Sequence, residues 1–194
     1  MRLDWSPILS RSELEKLLVQ QCISEQHPWS TGDEHLIEGH LKTACESVVR
    51  ETRAESKIEW GHYGSGYASF VDAWFYKTSP DFDVKHPIRH GEEHTGLVVL
   101  LSRLSPFFVF MEGEKHWHAK GASSYLPAFD MLDKIESKGA SSLAEQVQAI
   151  LERHGLVRVV REQLTEPLPP DLEVPTILAD RGFTHFDALF YWED

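Results

Sequence analysis

Two five-residue runs, Leu97-Val-Val-Leu-Leu101 and Phe107-Phe-Val-Phe-Met111, constrain this chain more than any other feature. Successive side chains of a strand point to opposite faces, so a run that is apolar at every position is apolar on both faces. Such strands belong in the middle of a sheet that is covered on both sides. Ser105-Pro106 lies between the runs and supplies a turn, so the segments 95–104 and 107–117 are predicted to form a hairpin. An earlier hairpin is predicted from Ile58–Tyr63 and Tyr67–Tyr76, with Gly64-Ser65-Gly66 as the turn whose positive φ angles favour glycine. Two sequential hairpins make an antiparallel sheet.

Helical periodicity brackets this sheet. Ser12 and Glu15 have capping-box spacing, and Leu14, Leu17, Leu18 and Cys22 follow at helical intervals, which predicts a helix from Ser12 to Ile23. Thr31 and Glu34 repeat the signature ahead of Ile37, Leu41, Ala44, Cys45 and Val48, and this second helix should run to about Arg53. Beyond the hairpins, a short helix is expected from Leu126 to Lys138, stopped by Gly139. Another should open at the Ser142–Glu145 pair and close at Gly155. Val157–Arg161 suits an edge strand, and Pro167-Leu-Pro-Pro170 a stiff extended connector. Thr184 and Asp187 can open a last helix, although the aromatic density of the C-terminal segment also suits a strand.

The predicted fold class is therefore α+β. A central antiparallel sheet of about four to five strands, in two sequential hairpins, is flanked by N-terminal and C-terminal helices. The 194 residues suit a single domain, with a helical pair over about 11–53, the sheet over about 57–118 and a helical, acidic part over about 124–194.

A net charge of −12 disfavours nucleic-acid phosphates and anionic lipid, and it favours basic partners. The longest apolar runs fall far short of a membrane span, and no basic region followed by an apolar run opens the chain, so a cytoplasmic location is expected. Cys22 and Cys45 lie on apolar faces without electropositive neighbours, and no nucleophile elbow or P-loop is present.

Eleven histidines raise the question of metal. His116 and His118 would share one side of a strand, and His90 and His94 lie in a polar loop that could fold over them. Those four would suit a divalent metal such as zinc in a hydrolase. Without that arrangement no cofactor is expected. His35 and His40 are five apart, which separates them on a helix and excludes joint chelation.

Aromatic and acidic residues suggest a different role. Trp60, Tyr63 and Tyr67 crowd the first hairpin, and Asp81, Asp83, Glu92 and Glu93 punctuate the loop after it. Glu193 and Asp194 end a C-terminal stretch in which acids far outnumber bases. Rigid aromatics among carboxylates describe a surface that binds a basic protein. A structural or adaptor domain in a larger assembly is a third reading.

With its aromatic hairpins, Trp60–Tyr76 and Leu97–Trp117, and its acidic end Leu189-Phe-Tyr-Trp-Glu-Asp194, the chain resembles the bacterial immunity proteins of polymorphic-toxin and contact-dependent systems. The resemblance implies an intracellular protein that neutralises a secreted toxin by covering its active site. It assigns no individual residue a role.

Overall fold

The structure, a computed structural model, describes residues 8–64, 66–83, 92–117, 122–123, 127–176 and 182–193; for 92, 93, 115–117, 122 and 123 it describes the backbone. Helix α1 (Arg11–Leu17) is shorter than predicted and begins earlier. The capping box uses Ser10 and Glu13, the same spacing shifted by two residues. Gln20 at φ 60° then turns the chain out of the helix, and Ile23 N–H donates to Leu104 O instead of continuing the spiral. Helix α2 (Glu34–Thr52) matches its predicted span, with Asp33 rather than Thr31 accepting from the first-turn amides.

The first predicted hairpin is real as a pairing but not as a tight turn. Strand β1 (Glu55–Glu59) ends early, a short strand β2 (Tyr67–Ala68) peels away, and β3 (Phe70–Tyr76) pairs antiparallel with β1 from Glu55↔Tyr76 to Glu59↔Asp72. The second hairpin is as predicted: β4 (Glu92–Ser102) pairs with β5 (Phe107–Trp117). Its first strand begins three residues before the predicted start, taking in Glu92, Glu93 and His94. Strand β6 (Ala122–Ser123) adds to the other side of β5.

The helix predicted over 126–138 is absent from its described part. Phe129–Met131 form one 3-10 turn, Leu132 is extended, and Asp133 at φ 57° breaks any continuation. The Glu112 carboxylate takes the N–H groups of Glu136 and Ser137, at 2.6 and 2.9 Å, and so delivers Ser137 as the cap of helix α3 (Lys138–Arg153). Gly139 therefore sits in the first turn of a helix rather than ending one. A Cβ there would meet Asp81 O at 2.6 Å, so glycine lets the 3-10 turn Pro80–Phe82 press against the helix. Likewise Ser142 and Glu145 lie within α3, and Ser137 caps it. Gly155, at φ 80°, follows the helix as predicted.

Strand β7 (Val157–Arg158) is the expected edge piece, but it runs parallel to β5. Parallel pairing needs a crossover, and α3 supplies it. At the C-terminus both readings hold: helix α4 (His185–Leu189) opens on a Thr184–Asp187 capping box, and strand β8 (Trp192–Glu193) follows.

The main sheet runs β1-β3-β4-β5-β6 antiparallel, with β7 parallel on β5, and β2 and β8 form a separate two-stranded ribbon. The chain is thus α+β, with a mostly antiparallel sheet. Every residue of β3 is buried, as are Leu97–Leu101 and Phe108–Met111, so the doubly apolar runs are central as their pattern requires. Helix α3 packs on α2 and β4 over one face. On the other, Phe70 meets Phe190 and Trp192 at ring distances of 6.2 and 6.1 Å. No helix among the described residues is long and apolar enough to cross a membrane.

Candidate functional site

Among the described residues, two consecutive non-glycine residues with left-handed backbone lie between β1 and β3. His62 and Tyr63 both adopt left-handed φ, 55° and 56°, and Gly64 continues the turn at 73°. For residues with a Cβ this conformation costs roughly 1–2 kcal/mol each. The surroundings hold it in place. Glu59 Oε1 accepts from Gly61 N at 2.6 Å and Tyr63 N at 3.3 Å. His62 Nδ1 accepts from Ala68 N at 2.9 Å, and its ring stacks on Tyr67 at 5.6 Å. Tyr63 donates its hydroxyl to Asp72 Oδ2 at 2.7 Å, and its ring lies 5.9 Å from that of Trp192.

Tyr63 is 42% exposed nonetheless. Its hydroxyl end points inward, and burial together with the Asp72 charge pushes its pKa up, which keeps it a neutral donor. The Tyr67 hydroxyl is raised for the same primary reason, burial, and next by Tyr191.

The β2–β8 ribbon fixes the neighbouring side chains. Tyr67 pairs with Glu193 in register, and Gln20 Nε2 donates to Glu193 Oε1 at 3.1 Å. Ser69 stitches the C-terminal segment to the sheet: its Oγ accepts from Tyr191 N at 2.9 Å and lies 2.9 Å from Leu189 O. Below the ribbon, a cavity of about 150 Å³ is lined by Gln20, Glu34, Tyr67 and Arg103, among others. Arg103 is buried; it donates to Trp60 O at 2.8 Å and to Glu38 Oε2 at 3.3 Å, while its Nε has no partner. Lys42 lies 5.2 Å over the Trp60 ring and hydrogen-bonds Glu38, and that bond is the main reason the Glu38 carboxyl titrates below its ordinary value. At this end Glu34 is exposed, Glu59 and Glu193 are half-buried, and the arginine is hidden.

Sequence reasoning placed nine residues in a partner surface, and the structure sorts them into two groups. Trp60, Tyr63, Tyr67 and Glu193 converge at the end of the sheet just described. Asp81 and Asp83 belong to the turn against α3, with Asp83 bridging His94. Glu92 and Glu93 stand at the start of β4, paired with Trp117 and His116. Ten residues of strand, roughly 33 Å, separate Glu92 from Ser102, the register partner of Phe70. One compact interface does not span both ends. Asp194 lies outside the described residues.

The four histidines considered for metal divide similarly. His90 and His118 lie outside the described residues. In the β4–β5 register His94 pairs with Lys115 and His116 with Glu93, so the two histidines are not register partners. His94 stacks on Tyr76 at 5.0 Å. Among the described residues no group of three or more His, Cys, Asp or Glu is placed to hold a metal. Both cysteines are free thiols, and burial pushes Cys45 up to about 12.

Asp72, Ser69, Gln20 and Arg103 escaped the sequence reading. Asp72 had a legible signal, a lone carboxylate inside the apolar run Phe70–Tyr76. The left-handed pair His62–Tyr63 had none, since neither residue type announces that conformation. No family model, curated protein or solved structure matches the chain.

Proposed function

We propose that this chain is a protein-binding module of immunity type, which captures a basic toxin or effector in the cytoplasm through the Tyr63–Glu193 end of its sheet. The observation that carries this reading is the clamped, left-handed pair His62–Tyr63, which presents a half-open tyrosine ring at a fixed angle. Strain of this kind persists only where surrounding contacts over-determine it, and such positions cluster at functional sites. An aromatic anchor held rigid before binding loses little entropy when it docks. The carboxylates of Glu34, Glu59 and Glu193 around it, on a chain of net charge −12, would steer a basic partner and set its orientation. Arg103, beneath them, is buried and turned to Glu38 and Trp60 O.

The experiment is affinity capture from native lysate with the tagged chain, eluted by a salt gradient and identified by mass spectrometry. A stoichiometric basic protein that elutes as salt rises is expected, because rim charges are screened. Absence of any basic partner from neighbouring genes, under conditions where the chain is folded, would overturn the reading.

A further inference from the structure

His62 does two things at the Tyr63 end, and the second depends on its protonation. Its left-handed backbone leads the chain into Tyr63, and its Nδ1 accepts from Ala68 N at 2.9 Å. A ring nitrogen that accepts an N–H cannot itself carry a proton. This bond therefore exists only for the neutral imidazole with its hydrogen on Nε2. It ties the turn to the ribbon. Ala68 pairs with Trp192 across β2 and β8, and the Trp192 ring lies 5.9 Å from that of Tyr63. Imidazole, ribbon and anchoring ring are thus held to one another.

We propose that His62 is a proton-operated latch: neutral, it holds β2 and the Tyr63 ring in place, and protonated, it releases them. In the imidazolium both nitrogens donate, so the Nδ1 hydrogen meets the Ala68 amide hydrogen and the bond is lost. Ala68 is fully buried, and its released N–H is left without water to receive it. The surrounding charges offer the protonated ring a second position. Glu34, at the start of α2, has Oε1 3.8 Å from Nε2, beyond hydrogen-bond reach but near enough to draw a cation towards the helix. Tyr67 stacks on the ring at 5.6 Å, and burial keeps its hydroxyl neutral. Arg103 lines the same cavity as Tyr67 and Glu34 but is held by Glu38 and Trp60 O. Glu59 is engaged by the amides of Gly61 and Tyr63, on either side of His62. The latch belongs to the chain alone; its effect on capture, about a tenfold loss of retention in acid, rests on the partner-binding reading.

Nuclear magnetic resonance of the isotope-labelled full chain, titrated from about pH 8 to about pH 5, tests the latch without any partner. The expected result is the Nε2–H tautomer at the upper end, with Ala68 amide and Trp192 indole signals that shift at the midpoint of the His62 ring. His62→Asn is the comparison: asparagine tolerates left-handed φ, its Oδ1 can accept where Nδ1 does, and it does not titrate. In that variant the Ala68 and Trp192 signals should stay fixed over the same range. An Nδ1–H tautomer, an Ala68 amide indifferent to the titration of His62, or an equal shift in His62→Asn would each overturn the proposal. The expected shifts in a chain that captures no basic protein would support the latch and overturn the partner-binding reading alone.

Discussion

Gly96→Ala, a single added methyl group, should destabilise the sheet where a residue scale would forecast a gain. Gly96 pairs with Gly113 across β4 and β5, and the Trp74 indole from β3 lies over both, donating from Nε1 to Gly113 O at 2.9 Å. A Cβ at position 96 would come within 2.6 Å of Trp74 Cε2 and 2.7 Å of Phe75 O. Neither can give way. Phe75 O belongs to the backbone of β3, and Trp74 is fully buried with the Tyr76 ring 4.5 Å away. Overpacking a core costs about 1–3 kcal/mol. Displacing the indole enough to leave a buried polar group unpaired costs about 1–3 kcal/mol more. Replacing a strand glycine returns only about 0.5–1 kcal/mol. The net is a loss of about 2–4 kcal/mol. With a urea m-value of about 2 kcal/mol/M, the midpoint should fall by about 1–2 M. Urea unfolding followed by tryptophan fluorescence, checked by far-UV circular dichroism, measures it directly. A midpoint equal to or above that of the unsubstituted protein would refute the claim that the indole and the β3 backbone are immovable here.

Two further expectations concern buried or half-buried titratable groups. Glu112→Gln should cost about 1–3 kcal/mol by urea unfolding, because the carboxylate that accepts from Thr95, Glu136 and Ser137 becomes an amide with fewer acceptor sites; an unchanged midpoint would show that this anchor for α3 is dispensable. Burial pushes this carboxyl up, but the three donors outweigh it and leave it below its ordinary value, so the anchor stays charged through mildly acidic pH. The imidazoles of His40 and His185 are also lowered, in both cases chiefly by burial. Their folded forms therefore bind protons less readily than the unfolded chain. Their contribution is complete above the unfolded value of about 6.5 and is lost as pH falls below it, at up to about 1.4 kcal/mol per pH unit for each. The stability of His40→Gln with His185→Gln should depend less on pH between about 6.5 and 5 than that of the parent, and an unchanged slope would refute the assignment.

The central hairpin was legible because its signal is local and redundant: two runs apolar on both faces, joined by a serine-proline turn, have few other ways to be buried. The helix α2 likewise carries its own cap and stripe. What failed to show was decided by tertiary contacts. Gly139 looks like a stop signal in sequence, yet it is a packing residue, chosen for the approach of Asp81 and Phe82. The turn at Gly64-Ser65-Gly66 looked short because β2 was not recognisable as a strand until β8, far away in sequence, came to pair with it. The candidate site followed the same rule. Tyr63, Tyr67 and Glu193 were individually visible, but the clamp needs Asp72 and Glu59 together with an unusual backbone, and no spacing encodes that. Nor could the sequence show that Asp81, Asp83, Glu92 and Glu93 stand at the other end of an eleven-residue strand.

That separation makes the decisive measurement simple. Capture from native lysate should be run in parallel with the unsubstituted chain, with Tyr63→Ala, and with Asp81→Asn combined with Asp83→Asn, each shown to be folded by circular dichroism. The account predicts that a basic protein is retained by the unsubstituted chain and by the paired aspartate variant, and that Tyr63→Ala loses at least tenfold in retention, as expected for an anchoring aromatic. Retention by Tyr63→Ala and loss by the aspartate variant would move the interface to the other end of the sheet and contradict the account.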